Sequence, residues 1–479
     1  MRQSTSSILA LAVVGAVKVG AHQGCGGQEI AKRNLGMMDV GVEGLYVADG
    51  STDAPTECAY YSYPPVTAAK SQFPTIWEIA SLVPGDAEAA AVFAQVQAKV
   101  NATVGAVRMK GTPNGDFSAF TPTYNASDTD CWWTYKECQS PPSPPTSFVV
   151  LLTDSATQRP TGTTPKHPNL PADIIDLPEP RSLGIGFDDG PNCSHNAFYG
   201  FLRANEQQAT MFYIGSNVMD WPLQAQDAIA DGHQIAIHTW SHNYMTALTT
   251  EQAFAELWYT RKAIQLVTGV TPLSWRPPFG DIDDRIRTIA QALNLTSILW
   301  QSDSDDWRIN TGTPPVTSAQ IDANYQNLIN GVNNGTYDKR GTIMLTHELN
   351  NFTMSEAIKW YPMLKAAFGK LVPIASAYNL THPYAEGNIS YPDFGGNSAA
   401  AVSSSTSVSA SASGTGASAT GTMKTSVAAG SGTAASSAGS AQPTPTAARA
   451  KSAAFKSSAS TTQLMGTIVG GFAVLSWFC

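Results

Sequence analysis

Five short polar stretches hold the residues whose types and spacing could do chemistry: GFDDGP at 186–191, HTWSH at 238–242, RPPFG at 276–280, DSDDW at 303–307 and LTH at 345–347. His238 and His242 stand four residues apart, a spacing that puts two imidazoles on one face of a helical turn. Two histidines and a carboxylate are a recurrent ligand set for a catalytic divalent metal, leaving positions open for water and substrate. Asp189 supplies the carboxylate. Its neighbour Asp188 would repel it if both were buried without partners, so the two must divide the work. Asp189 binds the metal. Asp188, kept ionised by the cation and by Arg276, takes a proton from the attacking water. Arg276 can grip a carboxylate with two parallel hydrogen bonds. Asp306 is placed to orient and charge His347, whose imidazolium would protonate a leaving group. Each signal alone has a plainer use: H-x-x-x-H as core or surface histidines, Asp-Asp-Gly-Pro as a surface turn, Pro277-Pro278 as a stiff bend. Their conjunction points to hydrolysis.

The elements between these stretches must bring them together. From about 180 to 375, short apolar runs (SLGIGF, ATMFYIG, QIAIH, LSW, TSILW, TIML) alternate with helical patterns. One helix covers 249–269, with Thr249 or Thr250 as N-cap and Gly269 as stop, and others are expected near 283–293 and 317–331. Strands alternating with helices imply an α/β fold, a closed or partly closed β/α barrel around parallel strands. In such barrels the active site lies at the C-terminal ends of the strands. All five polar stretches follow apolar runs, so they converge on one end.

The remaining chain sets the context. Of 479 residues, 14% are charged and the net charge is -9, which disfavours a nucleic-acid partner because phosphate binding needs a basic face. An apolar run from Ile8 to Val17, followed by Val19 and Ala21, predicts a signal peptide over 1–21. Residues 398–460, rich in Ser, Thr, Ala and Gly, have too little apolar surface to offset ordering entropy and read as a disordered stalk. The apolar end, within 461–479, follows the small triplet Ser452-Ala453-Ala454, the order expected of a GPI-anchor signal with attachment at Ser452. A tail-anchored helix is the alternative, though the run from Leu464 is short of the roughly 20 residues a span needs. Sequons at Asn101, Asn125, Asn294, Asn334, Asn351, Asn379 and Asn388 predict N-glycans, whereas one at Asn192, beside GFDDGP, should stay bare to keep the cleft open. Cys131 and Cys138 can pair across a short loop, as can two of Cys25, Cys58 and Cys193. Residues 22–177 form an N-terminal extension with no assignable chemistry. Its CWWTYKEC cluster at 131–138 suits packing around a disulfide better than a sugar-stacking platform.

In their order, the five stretches resemble the motifs of the polysaccharide deacetylases of carbohydrate esterase family 4, a NodB-like group that includes fungal chitin deacetylases. The resemblance covers a catalytic domain at 178–376, followed by a flank at 377–397. It implies a distorted (β/α) barrel and a zinc or cobalt ion held by Asp189, His238 and His242. It also implies Asp188 as general base held by Arg276, and Asp306 tuning His347 as general acid. The backbone N–H of Phe279 would stabilise the oxyanion, and Trp307 and Leu345 would pocket the acetyl methyl. Gly186, Thr239 and Phe279 depart from the usual Thr, Ser and Tyr, and none of these changes removes a ligand or a proton-transfer group. The expected partners are chitin or its oligomers, cell-wall polysaccharide, and the membrane through a lipid anchor. The expected place is the outer face of the plasma membrane and the wall. An O-acetyl xylan esterase and a catalytically idle chitin-binding wall protein are the rival expectations.

Overall fold

The computed structural model describes residues 51–105, 108–124, 130–135, 170–387 and 389–395. The expected signal peptide, stalk and apolar tail, with Ser452, Cys25, Cys138, Asn125 and Asn388, lie outside the described residues. The described extension holds α1 (Ala54–Glu57), α2 (Pro64–Ala69) and α3 (Ala87–Thr103). The chain then runs β1 (Asp176–Leu177), β2 (Ser182–Gly184), β3 (Gly186–Gly190), α4 (Asn196–Ala204), β4 (Thr210–Tyr213), α5 (Gly215–Asp220), α6 (Pro222–Ala230) and β5 (Gln234–Ile237). It continues with α7 (Thr250–Thr268), β6 (Ser274–Trp275), α8 (Asp284–Ala292), β7 (Thr296–Ser297), β8 (Ser302–Asp303), α9 (Ser318–Asn333), β9 (Gly341–Leu345), α10 (Asn351–Phe368), β10 (Lys370–Val372) and α11 (Ile374–Ala377).

Strands β3-β4-β5-β6-β7 make one parallel sheet. A second sheet carries β2, β8, β9 and β10 in parallel, with β1 antiparallel to β9. Ile185 joins β2 to β3. Two backbone bridges close the ring, Asp188 beside His347 and Ile174 beside Ile298. The result is the distorted barrel expected, with apolar strand residues such as Phe212, Ala236 and Ile343 inside.

Helix α7 begins where the sequence pattern places it. Thr249 caps it in a reciprocal capping box with Gln252, and Gly269 ends it at φ 76°. It is buried on more than one face because the extension covers its outer side. Phe93 of α3 packs on Phe254 at 5.4 Å, and the Ala80 N–H donates to Glu256 at 2.9 Å. Burying a Phe of this kind stabilises by about 2 kcal/mol. The extension is further tied by a disulfide between Cys58 and Cys193, which also ends the pairing ambiguity for those two thiols. Cys131 is disulfide-bonded too, and the expected partner Cys138 lies outside the described residues. Trp132 and Trp133 are buried, at 2% and 6% exposure, so these two rings pack and offer sugar no platform.

Candidate active site

Strand β3 ends in the paired aspartates, and the backbone explains why both face one way. Successive strand residues normally point to opposite faces. Here the register shifts between Asp188 and Gly190, and Asp189 has φ 75°. This bulge turns Asp189 onto the side of Asp188, a conformation that costs a non-glycine residue about 1–3 kcal/mol and is characteristic of functional sites. The Asp188 N–H donates to the Thr346 carbonyl, and its own carbonyl accepts from the Glu348 N–H, each at 3.0 Å. Asp188 and His347 are therefore bridge partners whose side chains leave the same face.

Asp188 Oδ1 accepts from Arg276 Nη1 at 2.6 Å, with both side chains buried. The guanidinium lies over the Phe212 ring at 4.0 Å, and Nη2 turns to the Leu299 carbonyl at 3.4 Å. The grip on Asp188 is one strong bond, not the parallel pair expected, because the second nitrogen is taken by Leu299.

His238 follows β5 directly. Its Nδ1 lies 2.8 Å from the Arg276 carbonyl, which can only accept, so in the neutral ring Nδ1 carries the proton and Nε2 presents a lone pair. That Nε2 lies 3.4 Å from Asp189 Oδ1 and 3.7 Å from Asp188 Oδ2. His242 Nε2 lies 3.1 Å from the same Asp189 oxygen. The two histidines meet through a loop, not the helical turn their spacing suggested. Thr239 and His242 both adopt positive φ, 67° and 55°, which folds the loop back on itself. One ligand atom from each of Asp189, His238 and His242 lies within 4.8 Å of the others. Asp189 Oδ1 is buried without a hydrogen-bond partner. A buried carboxylate oxygen facing an imidazole lone pair is costly unless a cation sits between them, so these residues fit the divalent metal. Nitrogen and oxygen donors in this set suit a divalent transition metal.

Opposite the metal residues stands the second dyad. His347 Nδ1 donates to Asp306 Oδ1 at 2.6 Å, and the His347 backbone N–H donates to Oδ2 at 3.0 Å. Burial opposes charge on this imidazole, but Asp306 outweighs it, helped by Asp189 and Asp188, and pushes its pKa up to about 10. The neighbouring Asp305 instead pairs with Arg308 at 3.1 Å. Trp307 and Phe279 are exposed at 40% and 39%, while Leu345 is buried in β9. Phe279 takes φ 58° in the turn after Arg276 and packs its ring on His242 at 4.7 Å.

Two buried carboxylates beside the site carry no motif. Glu256, on α7, accepts from the Trp240 and Ser241 N–H groups at 2.7 and 2.8 Å and from Ser241 Oγ at 2.6 Å. It thus holds the loop between the two histidines. Glu348, next to His347, has Tyr199 Oη donating to it at 2.9 Å, and burial, with Asp189 and Asp188 adding to it, holds its carboxyl well above the usual range. A charged residue at an otherwise apolar helix position was the available signal for Glu256; for Glu348 there was none beyond adjacency to His347.

Among the sequons, Asn101, Asn294, Asn334, Asn351 and Asn379 are exposed. The Asn192 amide nitrogen instead donates to the Leu349 carbonyl at 2.8 Å, and its oxygen accepts from the Ser194 N–H at 2.9 Å.

Residues 177–298 match the polysaccharide deacetylase family model. Chitin deacetylase 2 of Cryptococcus neoformans var. grubii is 47% identical over 397 residues, spanning 82% of this chain and 81% of that protein. The chitin deacetylase of Amylomyces rouxii is 41% identical over 339 residues, spanning 70% and 73%. The solved chitin deacetylase of Colletotrichum lindemuthianum superposes with a TM-score of 0.39 at 20% identity, covering 43% of this chain and 91% of that one. With Asp188, Asp189, His238, His242 and His347 assembled at one end of the barrel and relatives of this identity along most of its length, the chain belongs to the polysaccharide deacetylases of carbohydrate esterase family 4, among the fungal chitin deacetylases.

Proposed function

We propose that this enzyme hydrolyses the N-acetyl groups of chitin in a metal-dependent reaction, giving chitosan and acetate at the cell surface. The observation that carries the reading is the bridge pairing of Asp188 with His347, which sets a base and an acid side by side next to the Asp189-His238-His242 triplet. The names of the relatives support the substrate. A divalent metal bound by that triplet would polarise the acetyl carbonyl and acidify the attacking water.

Asp188, fixed by Arg276, accepts a proton as water oxygen attacks the carbonyl carbon. The Phe279 N–H supports the oxyanion that develops. His347, charged and oriented by Asp306, gives its proton to the amide nitrogen as the carbon–nitrogen bond breaks. The free amine of the sugar and acetate leave, Asp188 releases its proton to solvent, and solvent returns a proton to His347. Trp307 and Leu345 border the place of the acetyl methyl.

The signal segment, the sequons and the apolar tail support an N-glycosylated, lipid-anchored protein on the outer face of the plasma membrane, in contact with wall polysaccharide. No helix among the described residues is long and apolar enough to cross a membrane.

The test is acetate release from a chitin pentamer with zinc, with cobalt and after chelation. Chelator-sensitive release restored by metal is the expected result. Release from acetylxylan alone would replace the substrate, and firm chitin binding without turnover would replace the enzymatic reading.

A further inference from the structure

The extension has no motif, yet a continuous line of rings runs from it to a ligand of the metal site. Trp132 meets Phe117 at 5.1 Å, Phe117 meets Tyr244 edge-on at 5.2 Å, and Tyr244 stacks on Phe279 at 4.0 Å. Phe279 in turn meets His242 at 4.7 Å. The backbone follows the same path. The Lys110 N–H donates to the Thr246 carbonyl at 2.9 Å, and the Tyr244 N–H donates to the Pro113 carbonyl at 3.1 Å. Gly115 lies so close to Tyr244 that a Cβ there would fall 2.4 Å from the ring. Buried Asp281 gathers the strands of this contact, accepting from Trp132 Nε1 at 2.8 Å, from Thr134 Oγ1 at 2.6 Å and from the Thr246 N–H at 2.7 Å. Below it, buried Lys110 pairs with Asp130 and Asp283.

The two histidine ligands are held differently. His238 is 2% exposed and anchored through Nδ1 to the Arg276 carbonyl. His242 is 23% exposed and bounded by the rings of Phe279 and His238. A ligating imidazole is commonly oriented by a hydrogen bond on its second nitrogen. For His242, ring packing supplies orientation.

We infer that residues 110–124 and 130–134 of the extension are a positioning element of the metal site, with Phe117 and Trp132 acting through Tyr244 and Phe279 on His242. The inference rests on the metal reading above. Phe279 sits in a strained left-handed conformation that persists only where its surroundings over-determine it. The extension provides those surroundings.

The experiment is equilibrium dialysis of the full chain against zinc, beside thermal melts. Wild type should hold one zinc that His238→Ala abolishes. Phe117→Leu keeps apolar volume but removes the ring edge, and should weaken zinc about tenfold, the low end for loss of a ligand-orienting neighbour. Phe93→Leu removes a ring contact between the extension and α7 away from the site, and should lower the melting temperature without changing zinc affinity. Trp132→Phe keeps the ring and loses the bond to Asp281, a change too small to prevent folding, and should weaken zinc about threefold. Phe117→Tyr should restore wild-type affinity. Zinc affinity unchanged in both Phe117→Leu and Trp132→Phe would overturn the inference, as would unchanged affinity in Trp132→Phe should Phe117→Leu not fold. A wild type that binds no zinc would overturn the metal reading itself.

Discussion

Arg276 Nη1 donates to Asp188 Oδ1 across 2.6 Å, while Asp189, one residue on, turns its Oδ1 to His238 and His242. Adjacent carboxylates thereby differ in their nearest partner, a cation for Asp188 and ligand-type imidazoles for Asp189. Their substitutions should separate accordingly. Asp188→Asn should lower kcat by about 10²–10⁴-fold, the range for losing a general base, with metal still bound. Asp189→Asn should lose the metal. Equal metal loss in both variants, read by dialysis, would refute the division. Arg276→Met leaves Asp188 buried without its cation and should cost about 3–5 kcal/mol in denaturant unfolding.

His347 offers a pH test. Its folded pKa, about 10, stands above the ordinary 6.5 because Asp306, with Asp189 and Asp188, outweighs burial. The charge it favours stabilises the fold fully below about pH 6.5, and this contribution is lost as pH rises through about 10. Wild type should therefore lose more stability between those limits than His347→Gln, when unfolding is followed at several pH values. Asp306→Asn removes the attraction and leaves burial, so the alkaline limb of kcat against pH should move to lower pH. An unmoved limb would assign that limb to another group.

Much of the site was legible because its chemistry lies at strand ends, where short motifs carry both the residue and its position. Asp188, Asp189, Arg276, Asp306 and His347 needed no long-range knowledge beyond the order of elements. What escaped depends on backbone detail or distant pairing. The bulge at Asp189 and the left-handed Thr239 and His242 turn side chains in ways that a helical spacing rule misses. Glu256 meets Ala80 across a separation of 176 residues, and no local pattern predicts that contact. The extension looked inert for the same reason: its partners at Tyr244 and Asp281 lie more than 100 residues away in sequence.

Glu256 should matter to the metal without touching it. Its two oxygens accept from Ala80, Trp240 and Ser241, and so lock the loop that carries both histidines. Glu256→Gln turns an amide NH₂ toward donors, leaving buried N–H groups unpaired at a cost of about 1–3 kcal/mol. Zinc affinity should fall about 10–100-fold, as for other residues that orient ligands. Isothermal titration that finds wild-type affinity in the variant would reduce Glu256 to a structural residue.

Glu348 should behave as a neutral acid. Burial, together with Asp189 and Asp188, raises its carboxyl well above the usual range, and Tyr199 Oη donates to it at 2.9 Å. A carboxyl raised on folding stabilises fully below its unfolded pKa, and that contribution is lost as pH rises through the folded value. Glu348→Gln is close to isosteric with the protonated acid, so it should match wild type below about pH 4.5 and exceed it in stability as pH climbs. Wild type gaining stability over that range relative to the variant would show an ionised Glu348. The same residue explains Gly190. A Cβ there would fall 1.7 Å from Glu348 Oε1 and 2.8 Å from the Tyr213 ring. Gly190→Ala should therefore cost about 1–3 kcal/mol as an overpacking change. In Glu348→Ala the nearer obstacle is gone, and the added methyl should cost markedly less. A double-mutant cycle in denaturant decides it: an additive result would mean that Tyr213 or the backbone, not Glu348, demands the glycine.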